Sequence, residues 1–368
     1  MKRVPFVDLR AQYLSLKDEI DKAISNVIDE TAFIGGNNVL AFEEKFAKLN
    51  GVKHCIAVAN GTDSLYIIMK MLGIGIGDEV ITVANSWISS SETISQTGAK
   101  PVFVDTHPDY FSINEDLIEK VITSKTKAIM PVHLHGQMCE MDEIKRISEK
   151  YGLYVIEDCA QSHFSEYKGK LAGTYGIAGS FSFYPGKNLG AYGDAGCIIT
   201  DDDNLAEKCR MYARHGALKK HHHLMEGINS RMDGLQAAIL NVKLTHILNW
   251  TSKRIERAAL YDNYLKEINE IILPVIRPNT KHTFHLYVIR CQQRNRLADF
   301  LKQNGVETAI HYPTALPNLP AYSYLNHSPN DFPIATAYQD EILSLPMFPE
   351  LNEEEISYIA ELIKTFYS

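Results

Sequence analysis

Short apolar runs alternate with amphipathic segments between residues 55 and 200 of the chain. Most gaps between the runs show helical periodicity, with apolar residues three or four positions apart. This alternation is typical of an α/β layer with a mainly parallel sheet, and such sheets bind ligands at the carboxyl ends of their strands. The runs that predict buried strands are residues 55–59, 79–83, 102–105, 128–132, 154–157, 180–183 and 197–200.

Two amphipathic helices are predicted ahead of these strands. Residues 12–28 place Tyr13, Leu16, Ile20 and Ile24 at helical spacing. The glycine and asparagine residues at 35–38 are expected to interrupt the helical structure, and a second helix is predicted over residues 40–49, where an Asn-Gly pair ends it.

The pattern changes near residue 274. Residues 284–290 alternate as a strand does, whereas residues 296–303 and 353–366 have helical periodicity. We therefore predict two domains, a large α/β domain of residues 1–245 and a smaller α+β domain of residues 246–368.

Composition excludes several classes of protein. The 368 residues carry a formal net charge of −8, which argues against nucleic acid bound through a broad basic face. The six cysteines are scattered without a CxxC pair, as in proteins of a reducing compartment. No apolar stretch approaches the length of a membrane span, and the N-terminus lacks the apolar run of a secretory signal. The sequence predicts a cytoplasmic protein with no membrane partner.

Polar residues follow two of the predicted strands near the middle of the chain. Gly61, Thr62 and Asp63 begin a helix after the strand at 55–59, and they fit either a phosphate site or an ordinary helix cap. Trp87 follows the strand at 79–83 and is either a core residue or a stacking surface for a planar ring.

Asp158 closes the apolar strand at 154–157. It either needs a partner, because an unpaired buried charge is costly, or it caps the next helix. His133 and His135 have the spacing of a metal pair but lack a third ligand nearby, so we interpret them as hydrogen-bonding residues and predict no metal site.

Lys187 lies in a glycine-rich loop, Phe-Tyr-Pro-Gly-Lys-Asn-Leu-Gly-Ala, directly after the strand at 180–183. Few charges surround it, and desolvation there would lower the pKa of the amine and make it a nucleophile toward a carbonyl. The alternative is an exposed lysine on a mobile loop. Farther along, Lys219, Lys220 and the histidines at 221–223 form a polar segment suited to an anionic ligand.

Taken together, a loop lysine, a strand-end aspartate, a helix-start Gly-Thr and a serine on the lysine's own strand match the needs of pyridoxal 5′-phosphate (PLP). The lysine loop, the Glu-Asp-Cys-Ala-Gln segment at 157–161 and residues 227–240 closely resemble the DegT/DnrJ/StrS-type sugar aminotransferases. The resemblance spans nearly the whole chain. It implies a PLP enzyme of fold type I, aspartate aminotransferase-like, with a mainly parallel seven-stranded sheet in the large domain.

The resemblance also implies a role for each site residue. Lys187 would bond to the cofactor and move the proton, and Asp158 would pair with the pyridine nitrogen. Gln161 would contact the ring hydroxyl, and Trp87 would stack on the ring. The phosphate would be bound by Gly61, Thr62, Asp63 and Ser182, and by Asn229 of the neighbouring subunit, which implies a homodimer with shared active sites. The substrate-binding candidates are Lys219, His311 and Tyr312.

The family transfers the amino group of L-glutamate to a nucleotide-linked ketosugar. The form of the lysine loop is most similar to members that aminate C3 of dTDP-linked 3-keto-6-deoxyhexoses, which supply surface polysaccharides or glycoconjugates. The alternatives are a C4 aminotransferase acting on a 4-keto-6-deoxysugar and a non-catalytic sugar-nucleotide sensor. A deoxysugar dehydratase would have histidine in place of Lys187, and an amino acid or cysteine-sulfur enzyme would need a carboxylate-binding arginine in the small domain.

Overall fold

The computed structural model describes residues 3–368. The strands are β1 (His54–Val58), β2 (Glu79–Val83), β3 (Lys100–Val104), β4 (Thr126–Met130), β5 (Tyr154–Asp158), β6 (Glu166–Tyr167), β7 (Lys170–Leu171), β8 (Ala178–Ser182), β9 (Gly196–Thr200), β10 (Ala217–Lys219), β11 (His222–His223), β12 (Ile271–Ile272), β13 (Thr280–Lys281), β14 (Tyr287–Cys291) and β15 (Ile342–Leu345).

The α-helices alternate with the strands in the first half of the chain, and the longest helix, α10, lies in the second half. They are α1 (Leu9–Ser15), α2 (Lys17–Asp29), α3 (Gly36–Asn50), α4 (Gly61–Met71), α5 (Ser89–Thr97), α6 (Glu115–Ile118), α7 (Met141–Tyr151), α8 (Asp203–Tyr212), α9 (Gly234–Leu244), α10 (Ile247–Leu265), α11 (Arg294–Gln303), α12 (Pro333–Glu341) and α13 (Glu353–Tyr367). None of the helices in residues 3–368 has the length and apolar character needed to cross a membrane.

A seven-stranded sheet lies at the centre of the large domain, in the order β1-β9-β8-β5-β4-β2-β3. Only β9 runs antiparallel to its neighbours, β1 and β8. The carboxyl ends of the other six strands therefore meet at one edge. This α/β architecture with a mainly parallel seven-stranded sheet confirms the predicted fold class.

Both faces of the sheet are covered, which explains why the strands appear in the sequence as nearly continuous apolar runs. On one face Ile56, Val80 and Ile156 pack with residues of α4 and α8. On the other face Ile81 and Phe181 belong to a larger core that includes residues of α3, α7 and α9.

A second core forms around the three-stranded antiparallel sheet β12-β14-β15, with α11, α13 and the second half of α10. Val4 packs into this core and pairs with Val306, so the start of the described chain lies against the C-terminal part. The boundary near residue 245 would fall between α9 and α10. The division into residues 1–245 and 246–368 stays a prediction.

Two details of the predicted helices are wrong. The helix predicted over 12–28 is two helices, α1 and α2, because Asp8 caps an earlier start by accepting from the Ala11 N–H, and Leu16 leaves helical geometry while its side chain is buried in the core. Residues 36–38, expected to interrupt the helical structure, are the first turn of α3, and the two positive φ angles at its start fall on glycines, Gly35 and Gly36.

Candidate active site

Lys187 is held in a closed loop at the carboxyl end of β8. The Ala191 N–H donates to the Phe183 carbonyl at 2.8 Å, and the Lys187 N–H donates to the Tyr184 carbonyl at 2.8 Å. A Cβ on Gly190 would lie 2.2 Å from the Pro185 carbonyl oxygen, so this close approach requires glycine. The loop is therefore compact, contrary to the alternative of a mobile surface loop.

Helix α9 holds the far side of this loop, which the sequence did not predict. The buried Lys243 ammonium donates to the Gly190 carbonyl at 2.7 Å and lies 4.3 Å from the centre of the Tyr192 ring. The Gln236 side chain accepts from the Tyr192 N–H at 2.9 Å. A lysine within the apolar run of α9 is the only sequence signal for this arrangement.

The environment of the Lys187 amine favours nucleophilic chemistry. The side chain is half-buried in the cleft, and desolvation lowers the pKa of the amine to about 8, although the nearby Asp158 carboxylate acts to raise it. A substantial share of the amine is therefore neutral near physiological pH.

Asp158 ends β5 directly opposite Ser180 on β8. Burial raises the pKa of its carboxyl, while hydrogen bonds from the Ala160 N–H and the Ser90 hydroxyl act to lower it. Those bonds measure 3.1 Å and 2.9 Å, and each goes to a different carboxylate oxygen. Turns rather than a helix follow β5, so the helix-cap alternative for Asp158 is wrong.

Gln161, three residues after Asp158, hydrogen-bonds to Tyr312, whose ring contacts Trp87. Its carbonyl oxygen accepts from the His135 N–H at 2.7 Å, and its amide donates to the Tyr312 hydroxyl at 3.0 Å. The Tyr312 ring lies 5.7 Å from the Trp87 ring, and 58% of the Trp87 surface is exposed. Trp87 is therefore not a core residue but part of the wall of the cleft.

The start of α4 forms the other end of the cleft. Asn60 caps α4 by accepting from the Asp63 N–H at 2.7 Å, so Thr62 and Asp63 are not the caps considered from the sequence. A Cβ on Gly61 would lie 2.7 Å from the Ser182 Cβ, which places the α4 start against the end of β8. A helix N-terminus with small residues and a serine hydroxyl fits a phosphate.

Behind Asp158, the buried Glu157 organises the segment that enters β8. Its carboxylate accepts from the N–H groups of Gly173, Tyr175 and Gly176 at 2.7–2.8 Å and from His133 Nε2 at 2.9 Å. His133 Nδ1 accepts from the Cys139 N–H, so the ring proton resides on Nε2.

His133, Glu157 and Cys159 are close enough to one another to suggest a metal site. The four donors on Glu157 use the lone pairs that a metal would need. We therefore interpret the cluster as a hydrogen-bonded support for the active-site strand.

The remaining residues predicted for the site are His311, Lys219 and Asn229. His311 hydrogen-bonds to Ser344 at 2.8 Å, and burial together with the Lys187 charge lowers the pKa of its imidazole to about 4. Lys219 is exposed on β10. Asn229 is also exposed, and its side-chain oxygen accepts from Arg231 rather than from a group of the lysine loop.

An anion-binding helix start, an amine of lowered pKa and a buried carboxylate therefore line one edge of the sheet. The residues fit PLP, because a Cβ at Gly61 would fill the phosphate end while Asp158 supplies an anion for the pyridine nitrogen. Fold and site together define a PLP-dependent enzyme of fold type I.

The chain belongs to the DegT/DnrJ/EryC1/StrS aminotransferase family, whose sequence model matches residues 14–364. It is a PLP-dependent sugar transaminase. This confirms the predicted family, enzyme class and cofactor.

Relatives and solved structures cover nearly the whole chain. The chain is 44% identical to a "Pleiotropic regulatory protein" of Geobacillus stearothermophilus, over 99% of this chain and 98% of that protein. It is 42% identical to dTDP-3-amino-3,6-dideoxy-alpha-D-galactopyranose transaminase of Aneurinibacillus thermoaerophilus, over 99% of each. The crystal structure of S. venezuelae DesV superimposes with a TM-score of 0.98 at 37% identity, over 100% of this chain and 99% of that one. Other relatives are named for UDP-linked and GDP-linked sugars.

Proposed function

We propose that the protein transfers the amino group of L-glutamate to C3 of a dTDP-linked 3-keto-6-deoxyhexose, and that the product is a dTDP-3-amino-3,6-dideoxyhexose. The observation that carries this proposal is the full-length 42% identity to a transaminase named for a dTDP-3-amino-3,6-dideoxyhexose. Relatives named for UDP- and GDP-linked sugars at 41% and 35% identity make the nucleotide and the position of the keto group the points to test.

In this proposal Lys187 would hold the cofactor, and its amine would serve as the base that removes and returns the proton of the reacting carbon. Its lowered pKa of about 8 supports both roles, because the neutral amine is the nucleophile and the base. Asp158 holds a proton on the pyridine nitrogen. Bound PLP supplies the aldehyde that takes up the amino group and the ring that withdraws electrons from the reacting carbon.

The other cofactor residues orient the ring and the phosphate. Gly61, Thr62, Asp63 and Ser182 would hold the phosphate at the α4 start, where the helix dipole favours an anion. Gln161 would contact the ring hydroxyl. Trp87, exposed beside Tyr312, would cover one face of the ring and limit access of water.

A second subunit would complete the site. Arg214, Lys220 and Arg231 line a cavity of about 450 Å³. Exposed apolar side chains either line this cavity or are adjacent in sequence to residues that line it, namely Phe33, Ile34, Leu40, Leu218 and Leu224. Such an apolar and cationic surface suits a homodimer in which Asn229 and Lys219 reach the partner's cleft. His311 and Tyr312 would contact the sugar from within the same chain.

The arginines that an amino acid-specific enzyme would need are already engaged. Arg290 pairs with Glu341 at 2.8 Å, and Arg294 donates to the carbonyls of Ile342 and Gln339. Neither arginine is free to bind a substrate carboxylate, so these two residues give no support to the alternative of an amino acid-specific enzyme.

The test follows the visible absorption of the PLP-loaded protein. L-glutamate should bleach the cofactor band, and a dTDP-3-keto-6-deoxyhexose should restore it, with Lys187→Ala inactive in both steps. The two C4 epimers of the sugar, the matching 4-keto sugar and UDP-linked sugars are compared in parallel. Recovery with the 4-keto sugar alone would favour the C4 alternative, and the absence of bleaching by glutamate would refute the transaminase mechanism.

A further inference from the structure

Two serine hydroxyls form a hydrogen-bonded chain that ends on Asp158. Ser90 Oγ lies 2.9 Å from Asp158 Oδ2, and Ser86 Oγ lies 2.8 Å from Ser90 Oγ. All three side chains are buried. Neither serine is among the residues for which the sequence predicts a role in cofactor binding; of the three, only Asp158 is.

The direction of this chain follows from counting protons. An ionised carboxylate has no proton to donate, so Ser90 donates to Asp158. A hydroxyl has one proton, and that of Ser90 is used, so Ser86 must donate to Ser90. With Asp158 ionised, the chain therefore runs in one direction, from Ser86 to Ser90 to Asp158.

The two serines come from the connection between β2 and α5. Ser86 lies in the turn after β2, and Ser90 lies in the first turn of α5. The Ala160 N–H holds the other carboxylate oxygen at 3.1 Å. The two oxygens are thus fixed from different sides, and the plane of the carboxylate is determined.

We propose that Ser90, supported by Ser86, is a positioning residue that keeps the Asp158 carboxylate ionised and oriented toward the pyridine nitrogen of PLP. This inference rests on the proposed role of Asp158. Loss of the Ser90 hydroxyl makes the carboxylate a stronger base. A stronger base draws the shared proton from the ring nitrogen to itself, and the ring then withdraws electrons less well.

Other groups also act on this carboxylate and must stay unchanged in the test. Desolvation is the dominant effect that raises the pKa of Asp158, and it is opposed by the Ala160 N–H and the serine. The titratable groups near the carboxylate, on other elements and on its own strand end, are Lys187, His133, Tyr312 and Cys159.

Ser91 offers a matched control on the same helix. It is fully buried like Ser90, but its hydroxyl accepts from Tyr322 at 2.7 Å and donates to the Ile88 carbonyl at 3.1 Å. Replacing Ser90 or Ser91 by alanine removes the same atom from the same helix. Only the first replacement removes a donor from Asp158.

The test measures the protonation of the ring nitrogen directly. The protein is loaded with pyridoxamine phosphate that carries ¹⁵N in the ring, a form that does not bond to Lys187, and the nitrogen resonance is recorded at pH 7.5. Ser90→Ala should move the resonance toward that of unprotonated pyridine, with the proton distribution between nitrogen and carboxylate changed about tenfold. Ser86→Ala should move it less in the same direction. Ser90→Thr, which restores the hydroxyl, and Ser91→Ala should match the wild type.

The variant Asp158→Asn distinguishes a failure of the serine proposal from a failure of the proposed role of Asp158. If it moves the resonance while Ser90→Ala and Ser86→Ala match Ser91→Ala, the serine chain has no positioning role. If Asp158→Asn itself leaves the resonance at the wild-type position, the proposed role of Asp158 is wrong. Thermal melting of each variant reports folding, and should Ser90→Ala not fold, Ser86→Ala decides the question because it leaves Ser90 in place.

Discussion

Replacing Glu157 by glutamine tests how the active-site strand is supported. The carboxylate oxygens accept two N–H groups each, from Tyr175 and Gly176 on one oxygen and from Gly173 and His133 on the other. Glutamine keeps one acceptor oxygen and turns an NH₂ group toward the other two donors. Hydrogen bonds to a charged group contribute about 1.5–3 kcal/mol each, so the loss of two predicts about 3–6 kcal/mol of local destabilisation.

Because the bonds hold a short segment, the effect is measured best by local hydrogen exchange. The amides of the 173–176 segment should exchange at least about a hundredfold faster in Glu157→Gln than in the wild type, since each 1.4 kcal/mol is about a factor of ten. Glu166→Gln is the control, because its partly exposed ion pair with Lys281 is worth less than about 1 kcal/mol. Exchange within about threefold of the wild type in Glu157→Gln would show that the Glu157 hydrogen bonds do not stabilise this segment.

Three further predictions follow from the cleft and the second core. The rate at which amine reagents modify Lys187 in the cofactor-free protein should rise with pH, with a midpoint near pH 8. Asp158→Asn should lower that midpoint, because the Asp158 carboxylate favours the charged amine. An unchanged midpoint in Asp158→Asn would contradict this prediction. Gly61→Ala should weaken PLP binding in a fluorescence titration by about tenfold or more, since the new Cβ would lie 2.7 Å from the Ser182 Cβ of β8. Wild-type affinity would contradict the assignment of the phosphate site to the start of α4. Arg254→Met should destabilise the protein by more than about 3 kcal/mol, because the buried guanidinium donates to three backbone carbonyls, whereas the same change at the less buried Arg257 should lower the melting temperature much less.

The sequence predicted the sheet and the residues at its edge for a physical reason. Strands that are buried on both faces appear as separate apolar runs, and the polar residues that end them must lie at one edge of a parallel sheet. Asp158 ends β5 and Gln161 follows it, whereas Lys187 follows β8 and Gly61 follows β1. All four could therefore be placed at this edge from the strand pattern alone.

The supports of the site could not be predicted in this way. Lys243, Glu157 and the Ser86–Ser90 pair act through partners that are distant in sequence, and neither periodicity nor composition names those partners. The break at Leu16 was hidden for a related reason. The same apolar spacing fits one long helix or two short ones, and the choice depends on the Asp8 cap and on where the Leu16 side chain is buried.

The most direct test of the account is to identify the lysine that bonds to PLP. The protein is incubated with PLP, treated with borohydride to fix the adduct, digested and analysed by mass spectrometry. The phosphopyridoxyl group is expected on Lys187. Lys243 is an internal comparison, because burial lowers the pKa of its amine to about 8 as well. Modification of Lys243 or of any other lysine in place of Lys187 would show that Lys187 is not the residue that bonds to PLP.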